Sequence, residues 1–296
     1  MPRSLRQTIQ APCKVNLHLG IYAEKDERGY HRVDSVMVPV GLFNTITVDS
    51  APETSVSFEP ELDGLARRNA TRRAIELLAR ELSVEECVAV HIERSIPSGG
   101  GLGSSSADAG SVLRALAERW GVDPLDQRVV GVARRVGADV AFFLNPVPSL
   151  LRGAGDTLEK TFPALGGVPL ALVMPQRCAS STREVYEEYD RAPIAPKSPD
   201  ALCEAMAVGD MSGVAACLYN NLAPSALRLK PAMGEPLTWL SHQSGVVSSQ
   251  ITGSGSCSFA ICDSAAAAER IVRAAENEHG WWAKAVFTVG LDGQVC

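Results

Sequence analysis

The sequence predicts an α+β fold, and three observations carry that reading. Runs with apolar residues at every second position mix irregularly with runs at helical spacing, without the strict strand–helix alternation of a parallel α/β protein. A Gly/Ser-rich turn, PSGGGLGSSSAD at 97–108, separates a strand-like run from a strongly periodic helical one. A second Gly/Ser turn, TGSGS at 252–256, separates two further strand-like runs.

Taken in order, Val15, Leu17, Leu19 and Ile21 alternate with polar or small residues and predict a strand. Its period of two places Lys14, Asn16 and His18 together on the opposite face. The turn-rich KDERGYH follows at 25–31, and then β-branched runs at 33–40 and 45–48 predict two strands. Ala70, Ala74, Leu77, Leu78 and Leu82 have helical spacing, with Asn69 as N-cap. Val88, Val90 and Ile92 give a strand running into Pro97. After the turn, Ala109, Val112, Leu113, Leu116, Ala117 and Trp120 form a helical stripe stopped by Gly121. A further helix is expected over 125–136, ending at Gly137, and a strand over 168–174. The segment 191–199 is loose and Pro-rich, and helices are expected near 199–208, 211–217 and 231–244. Strands at 249–251 and 258–262, a helix at 265–278 and a last strand at 282–289 complete the chain. A boundary at TFPALGG is expected to divide an N-terminal domain, 1–163, from a C-terminal one, 164–296.

The chain has 296 residues, 46% hydrophobic and 21% charged, which suits a globular protein with a sizeable core. A formal net charge of -6 lacks the basic footprint of a nucleic-acid module. The eight cysteines form no CxxC pair and no cluster with zinc-ligand spacing, so reduced thiols are expected. With no apolar leader and no membrane-length run in the sequence, the expectation is a cytoplasmic protein.

The turn at 97–108 has the chemistry of a phosphate loop. Glycines let a backbone approach a ligand closely, and the first N–H groups of a helix point outward at its positive end. Pro97, Gly99, Gly100, Gly101, Leu102 and Gly103 supply the loop. Ser104, Ser105 and Ser106 can cap the helix, donate to phosphate oxygens or put an oxygen on Mg²⁺. The plain alternative is a surface turn, which the well-defined flanking elements disfavour. No Gly-Lys-Ser/Thr closes the loop, so it is not a Walker A motif, and the spacing of a dinucleotide fingerprint is not met. TGSGS, with Thr252, Gly253 and Ser254, is a second phosphate candidate; its plain alternative is a hairpin turn.

Phosphoryl transfer to an alcohol needs a group that takes the proton and positive charge nearby. Asp139, in GADVAFF, is the candidate base, placed among small and apolar residues that would partly desolvate it. Lys14 is the candidate cation. Alone, each has an ordinary reading, a helix cap for Asp139 and a solvated side chain for Lys14.

The loop PxxGGGLGSSSADA resembles the signature of the galactokinase, homoserine kinase, mevalonate kinase and phosphomevalonate kinase (GHMP) superfamily. APCKVNL at 11–17, GYH at 29–31, GADVAFF at 137–143 and ITGSGSC at 251–257 resemble one branch of it, the 4-diphosphocytidyl-2-C-methylerythritol kinases of the non-mevalonate isoprenoid pathway. The resemblance implies a two-domain fold, the N-terminal part like the second domain of a small-subunit ribosomal protein and the C-terminal part ferredoxin-like. It implies ATP and Mg²⁺ as cofactors and a cytidine diphosphate-linked alcohol as substrate. Lys14 and Asp139 match its catalytic pair, and Asn16 matches a residue beside the reacting alcohol. Tyr30 and His31 match the cytidine site, where a ring stacks on the base and an imidazole or backbone group reads its edge. Tyr186 lies where the family has a second stacking aromatic, in the same short run as Thr182; Asn69 lies where the family contacts ATP. The chain departs from the family at Ser104-Ser105, where Gly-Gly is usual, at Ala107 and Ala141, and at His18, where the family is apolar. Rival readings are the same chemistry on mevalonate or homoserine, which offer no base to stack on, and a nucleotide sensor without catalysis.

Overall fold

The computed structural model describes residues 6–61, 69–162, 165–176, 178 and 181–290. The chain packs as two compact units, Met1–Cys13 with Leu42–Pro97 and Gly103–Pro146, and Lys14–Gly41 with Ser98–Leu102 and Val147–Cys296. The first two strands, β1 (Gln7–Lys25) and β2 (His31–Ser50), each contribute to both units, so neither unit is a contiguous half. The boundary expected between residues 163 and 164 lies outside the described residues. The two strands expected at 33–40 and 45–48 are the single strand β2, which runs on through Gly41 and Asn44; the Asn44 side chain is taken up by hydrogen bonds to Asp108 and to the Ser95 and Ile96 N–H groups.

In the first unit β2 pairs antiparallel with β4 (Val88–Glu93), from Thr45↔Glu93 to Ser50↔Val88, and β3 (Ser55–Glu59) pairs parallel with β4. Helix α1 (Ala70–Leu82) buries Thr71, Ala74, Ile75 and Leu78, the spacing of one helical face. Asn69 caps it, its Oδ1 accepting the Arg72 N–H at 2.6 Å. Helix α2 (Ser104–Arg119) is the most deeply buried, and Gly121 just beyond it takes the left-handed φ of +72° that ends a helix. Helix α3 (Gln127–Val136) starts two residues later than the periodicity suggests, because Asp126 caps it through the Arg128 N–H at 2.9 Å. Ala138–Leu144 then forms a 3-10 helix carrying Asp139.

In the second unit β5 (Ser149–Arg152) pairs antiparallel with β2 at Ser35↔Leu151, β6 (Thr157–Thr161) with β5, and β8 (Tyr219–Asn220) lies parallel to β1. A separate antiparallel sheet has the order β11 (Trp282–Phe287), β7 (Pro169–Met174), β10 (Ser258–Cys262), β9 (Val246–Ile251). Ala171, Val173, Ala260 and Ala283 of that sheet pack against Ala268, Ile271 and Ala275 of α9 (Ala265–His279). Helices α5 (Asp200–Val208) and α6 (Met211–Ala216) match expectation. The helix expected over 231–244 is a 3-10 turn, Pro231–Met233, followed by α8 (Gly234–Ser241). Unanticipated are α4 (Thr182–Arg191), α7 (Ala223–Leu229) and the short strands β3, β5, β6 and β8. β6 is exposed along its whole length and so has no buried alternation to detect.

Among the described residues no helix is long and apolar enough to cross a membrane. The cysteines from Cys13 to Cys262 carry free thiols.

Candidate active site

In the first unit helix α2, which follows the first Gly-rich turn, begins without a side-chain cap. Its N-cap is Gly103, at φ +76°, whereas α1 and α3 of the same unit are capped by Asn69 and Asp126. The first turn of α2 therefore presents backbone N–H groups not consumed by a capping side chain, the arrangement that favours an anion. Ser104, expected as a capping or phosphate-binding hydroxyl, is buried and turned inward. It donates to the Ile96 carbonyl at 3.3 Å and accepts from Arg94 at 3.2 Å and Asn44 at 3.4 Å. Ser105 is exposed and Ser106 half-buried, so these two hydroxyls are the ones presented outward.

Asn44 and Asp108, which the sequence reading passed over, hold this turn. Asn44 Oδ1 accepts the N–H groups of Ser95 and Ile96, each at 2.9 Å, and its Nδ2 donates to Asp108 Oδ1 at 2.8 Å. Burial pushes the Asp108 carboxyl up to about 6, against the opposing pull of the Asn44 hydrogen bond and the Arg94 charge. A lone Asn in the apolar run VGLFNTITV is the signal that would have found this support.

Asp139 is half-buried on the 3-10 helix, not a cap on α3. Its position depends on Gly110 of α2. A Cβ there would lie 2.5 Å from Phe143 Cβ and 2.7 Å from the Val140 carbonyl oxygen, so the absence of a side chain lets the Asp139 segment close on α2.

In the second unit Lys14, Asn16 and the two Gly-rich turns lie together. Lys14 is only 3% exposed, which excludes the solvated-lysine reading. Its Nζ donates to Asn16 Oδ1 at 2.5 Å and its backbone N–H donates to the Leu102 carbonyl at 3.0 Å. The two Gly-rich turns, read from sequence as separate candidates, are hydrogen-bonded side by side. Ser256 N–H donates to Gly99 O at 3.2 Å, and Cys257 N–H to Gly100 O at 3.1 Å. Gly101, at φ +74°, sits so close to Thr252 that a Cβ would fall 2.1 Å from the Thr252 carbonyl oxygen. Thr252 is fully buried; its hydroxyl accepts the Asn16 N–H at 3.0 Å and donates to Asn16 Oδ1 at 3.2 Å. Gly253 lies against Lys14: a Cβ on it would come within 3.3 Å of Nζ. Asn220, also missed from sequence, ties the turn down by donating to the carbonyls of Ile251 at 2.8 Å and Gly253 at 2.9 Å.

Tyr30 is exposed at the tip of the 25–31 turn, with the Arg28 guanidinium 5.3 Å from its ring centroid. Asp26 shapes that turn by accepting the N–H groups of Arg28 and Tyr30. His31 is buried; its Nδ1 meets the Tyr22 carbonyl at 2.7 Å and its Nε2 lies 2.9 Å from Asp190 Oδ1. Tyr186, on α4, tilts over the His31 ring at 5.5 Å, and Tyr189 meets it edge-on at 5.6 Å. Thr182 at the start of α4 shares a hydrogen bond with Ser254 at 3.0 Å. One helix thus links TGSGS to the His31 region, through Thr182 at one end and Asp190 at the other.

His18, on the face that carries Lys14 and Asn16, is buried against Tyr219 at 5.1 Å. Its burial pushes the imidazole down to about 4, opposed by the charge of Asp34 and a hydrogen bond with the Lys197 main chain. It is a neutral packing group at the pH of the cell. Asn69 is engaged as the cap of α1.

Two family models match, GHMP kinases N terminal domain over residues 69–145 and GHMP kinases C terminal over residues 201–280. With the fold and the paired glycine turns, they define an ATP-dependent small-molecule kinase of the GHMP class. The solved structure of a 4-(cytidine 5'-diphospho)-2C-methyl-D-erythritol kinase is similar at a TM-score of 0.75 and 29% identity, covering 95% of this chain and 99% of that one. A homoserine kinase from Cytophaga hutchinsonii, 18% identical with a TM-score of 0.70, covers 99% of this chain and 98% of that one and shares the fold. In sequence, the 4-diphosphocytidyl-2-C-methyl-D-erythritol kinase of Nocardioides sp. is 35% identical over 87% of this chain and 89% of its own. That of Thermobifida fusca is 34% identical over 85% and 86%. The chain belongs to the 4-diphosphocytidyl-2-C-methyl-D-erythritol kinase family.

Proposed function

We propose that this kinase transfers the γ-phosphoryl group of ATP to the tertiary 2-hydroxyl of 4-diphosphocytidyl-2-C-methyl-D-erythritol, a step of non-mevalonate isoprenoid precursor synthesis in the cytoplasm. The observation that carries the chemistry is the buried Lys14 ammonium, held by Asn16 and walled by Gly253 of the second glycine turn. A cation so far removed from water interacts strongly with charge that develops on a reacting oxygen. Asp139 takes the proton of the alcohol, and Lys14 stabilises the charge left on its oxygen. The Gly99–Gly103 backbone, the first N–H groups of α2 and the hydroxyls of Ser105 and Ser106 hold the triphosphate, with Pro97 and Asn69 at its border. Tyr30 and Tyr186 stack on the cytosine, and His31 and Thr182 line the same cleft.

Among the described residues no group of three or more His, Cys, Asp or Glu side chains is arranged to hold a metal ion. Mg²⁺ keeps most of its water and binds chiefly through substrate phosphates with one or two protein oxygens, which Ser105 and Ser106 would supply. Held there, Mg²⁺ would supply charge neutralisation at the phosphates.

A coupled ADP-release assay over a panel of 4-diphosphocytidyl-2-C-methyl-D-erythritol, mevalonate and homoserine tests the substrate. Turnover is expected with the cytidine compound alone; turnover confined to a small free alcohol refutes the assignment. Asp139→Asn and Lys14→Met are each expected to lose at least about 100-fold in kcat while ATP binding by calorimetry persists. Undiminished turnover in either variant removes that residue from its role.

A further inference from the structure

Lys14 can serve the transfer only if its ammonium is held in one place, and the group that holds it is the Asn16 side-chain oxygen, at 2.5 Å. An amide has two nearly isosteric ends. Turned the other way, Asn16 would present two N–H donors to an ammonium that has only donors itself. The donor-only ammonium thus selects the oxygen, and the two hydroxyls on either side, each able to donate or accept, hold the amide in place. Thr252 Oγ1 donates to Asn16 Oδ1 at 3.2 Å, and Asn16 Nδ2 donates to Ser35 Oγ at 2.9 Å. Ser35 lies on β2, paired through β5 at Leu151, and is 0% exposed. Asn16 is 1% exposed, so water offers its amide little compensation when an acceptor is removed.

We propose that Ser35 is a positioning residue for the phosphoryl transfer. By accepting from Asn16 Nδ2 it anchors the far end of the amide whose oxygen holds Lys14, and so sets where the catalytic ammonium stands. The proposal rests on the catalytic role of Lys14 given above, but touches neither ATP nor the acceptor directly. A threonine keeps the hydroxyl oxygen at the same place on a strand that favours β-branched residues, whereas an alanine removes it.

The experiment compares Ser35→Ala and Ser35→Thr with the unaltered enzyme, using whichever alcohol of the panel that enzyme phosphorylates. Ser35→Ala is expected to lower kcat by about tenfold or more, the equivalent of about 1.4 kcal/mol in the barrier, with KM for ATP and for the alcohol within about twofold. Ser35→Thr should regain most of kcat. A crystal structure of Ser35→Ala is expected to show Lys14 Nζ withdrawn from Asn16, or the Asn16 side chain displaced together with Lys14. An unchanged kcat in Ser35→Ala, or failure of threonine to restore it, overturns the proposal. So does a fall in kcat with Lys14 and Asn16 unmoved. Should Ser35→Ala not fold, a Ser35→Thr enzyme with poor kcat and a displaced Lys14 refutes it equally. The crystal readout needs no acceptor, so a wrong substrate assignment shows up in the panel and a wrong role for Ser35 shows up here.

Discussion

Replacing Gly101 with alanine is expected to damage both stability and turnover, and two separate terms set the size. A side chain at φ +74° sits in the left-handed region, which costs a residue with a Cβ about 1–2 kcal/mol. The added carbon would also fall 2.1 Å from the Thr252 carbonyl oxygen and 3.2 Å from the Gly255 nitrogen, both backbone atoms that cannot rotate away. Relieving such an overlap means moving the turns apart, and overpacking of this kind costs about 1–3 kcal/mol. The sum, about 2–5 kcal/mol, is a large part of the net stability of about 5–15 kcal/mol typical of a folded protein. Gly121 is the control: its φ is +72°, but a Cβ there meets nothing within 4 Å, so Gly121→Ala carries the conformational cost alone. Urea denaturation should therefore rank Gly101→Ala below Gly121→Ala by about 1–3 kcal/mol. Steady-state kinetics should show a raised KM for ATP in Gly101→Ala only, because the displaced turn is the one proposed to hold phosphate. Equal stability and equal kinetics for the two variants would refute the reasoning.

Acid pH offers a second test, through two buried groups whose effects oppose. Asp108 is raised to about 6, so its contribution to stability is present at low pH and lost as pH rises through about 6. His18 is lowered to about 4, so its contribution is full above about 6.5 and lost as pH falls toward 4. The two largely cancel between about pH 4 and 6.5; Asp108→Asn should expose a steeper loss of stability on acidification, and His18→Leu a gain, in denaturation series across that range. Identical pH profiles for both variants and the unaltered chain would remove these groups from the account. At the base site proposed around His31, Asp190→Asn weakens the hold on His31 and should raise KM for the cytidine substrate several-fold with kcat little changed; Lys25→Met, which spares the His31 contact, should change neither. Equal effects of the two variants would assign the change to the Lys25–Asp190 pair instead.

The glycine turns, Lys14, Asp139 and the GYH segment are legible in the sequence because each is a local signal: a strand period, a loop composition or a short motif. Helix α2 and its stop at Gly121 are legible for the same reason. Helix α4 was not, although it carries Tyr186 and Asp190; it buries only Val185 and Tyr189, too few apolar positions to set a period. Ser104 looked like a capping or phosphate-binding hydroxyl by its place at a helix start. Only the folded chain turns it inward, toward Arg94 and the Ile96 carbonyl.

By itself, then, the sequence determined the chemistry on offer: a phosphate-binding helix start, a lysine and an acid of the right types, aromatic groups for a base, and the family they resemble. The tertiary structure decided what holds each of these groups in place. Asn16 is separated from Thr252 by 236 residues and from Ser35 by 19, yet hydrogen bonds to both fix the amide that holds Lys14. Such bonds form between residues of no fixed spacing, once the core has brought their strands and turns together. A local pattern has no means of recording them.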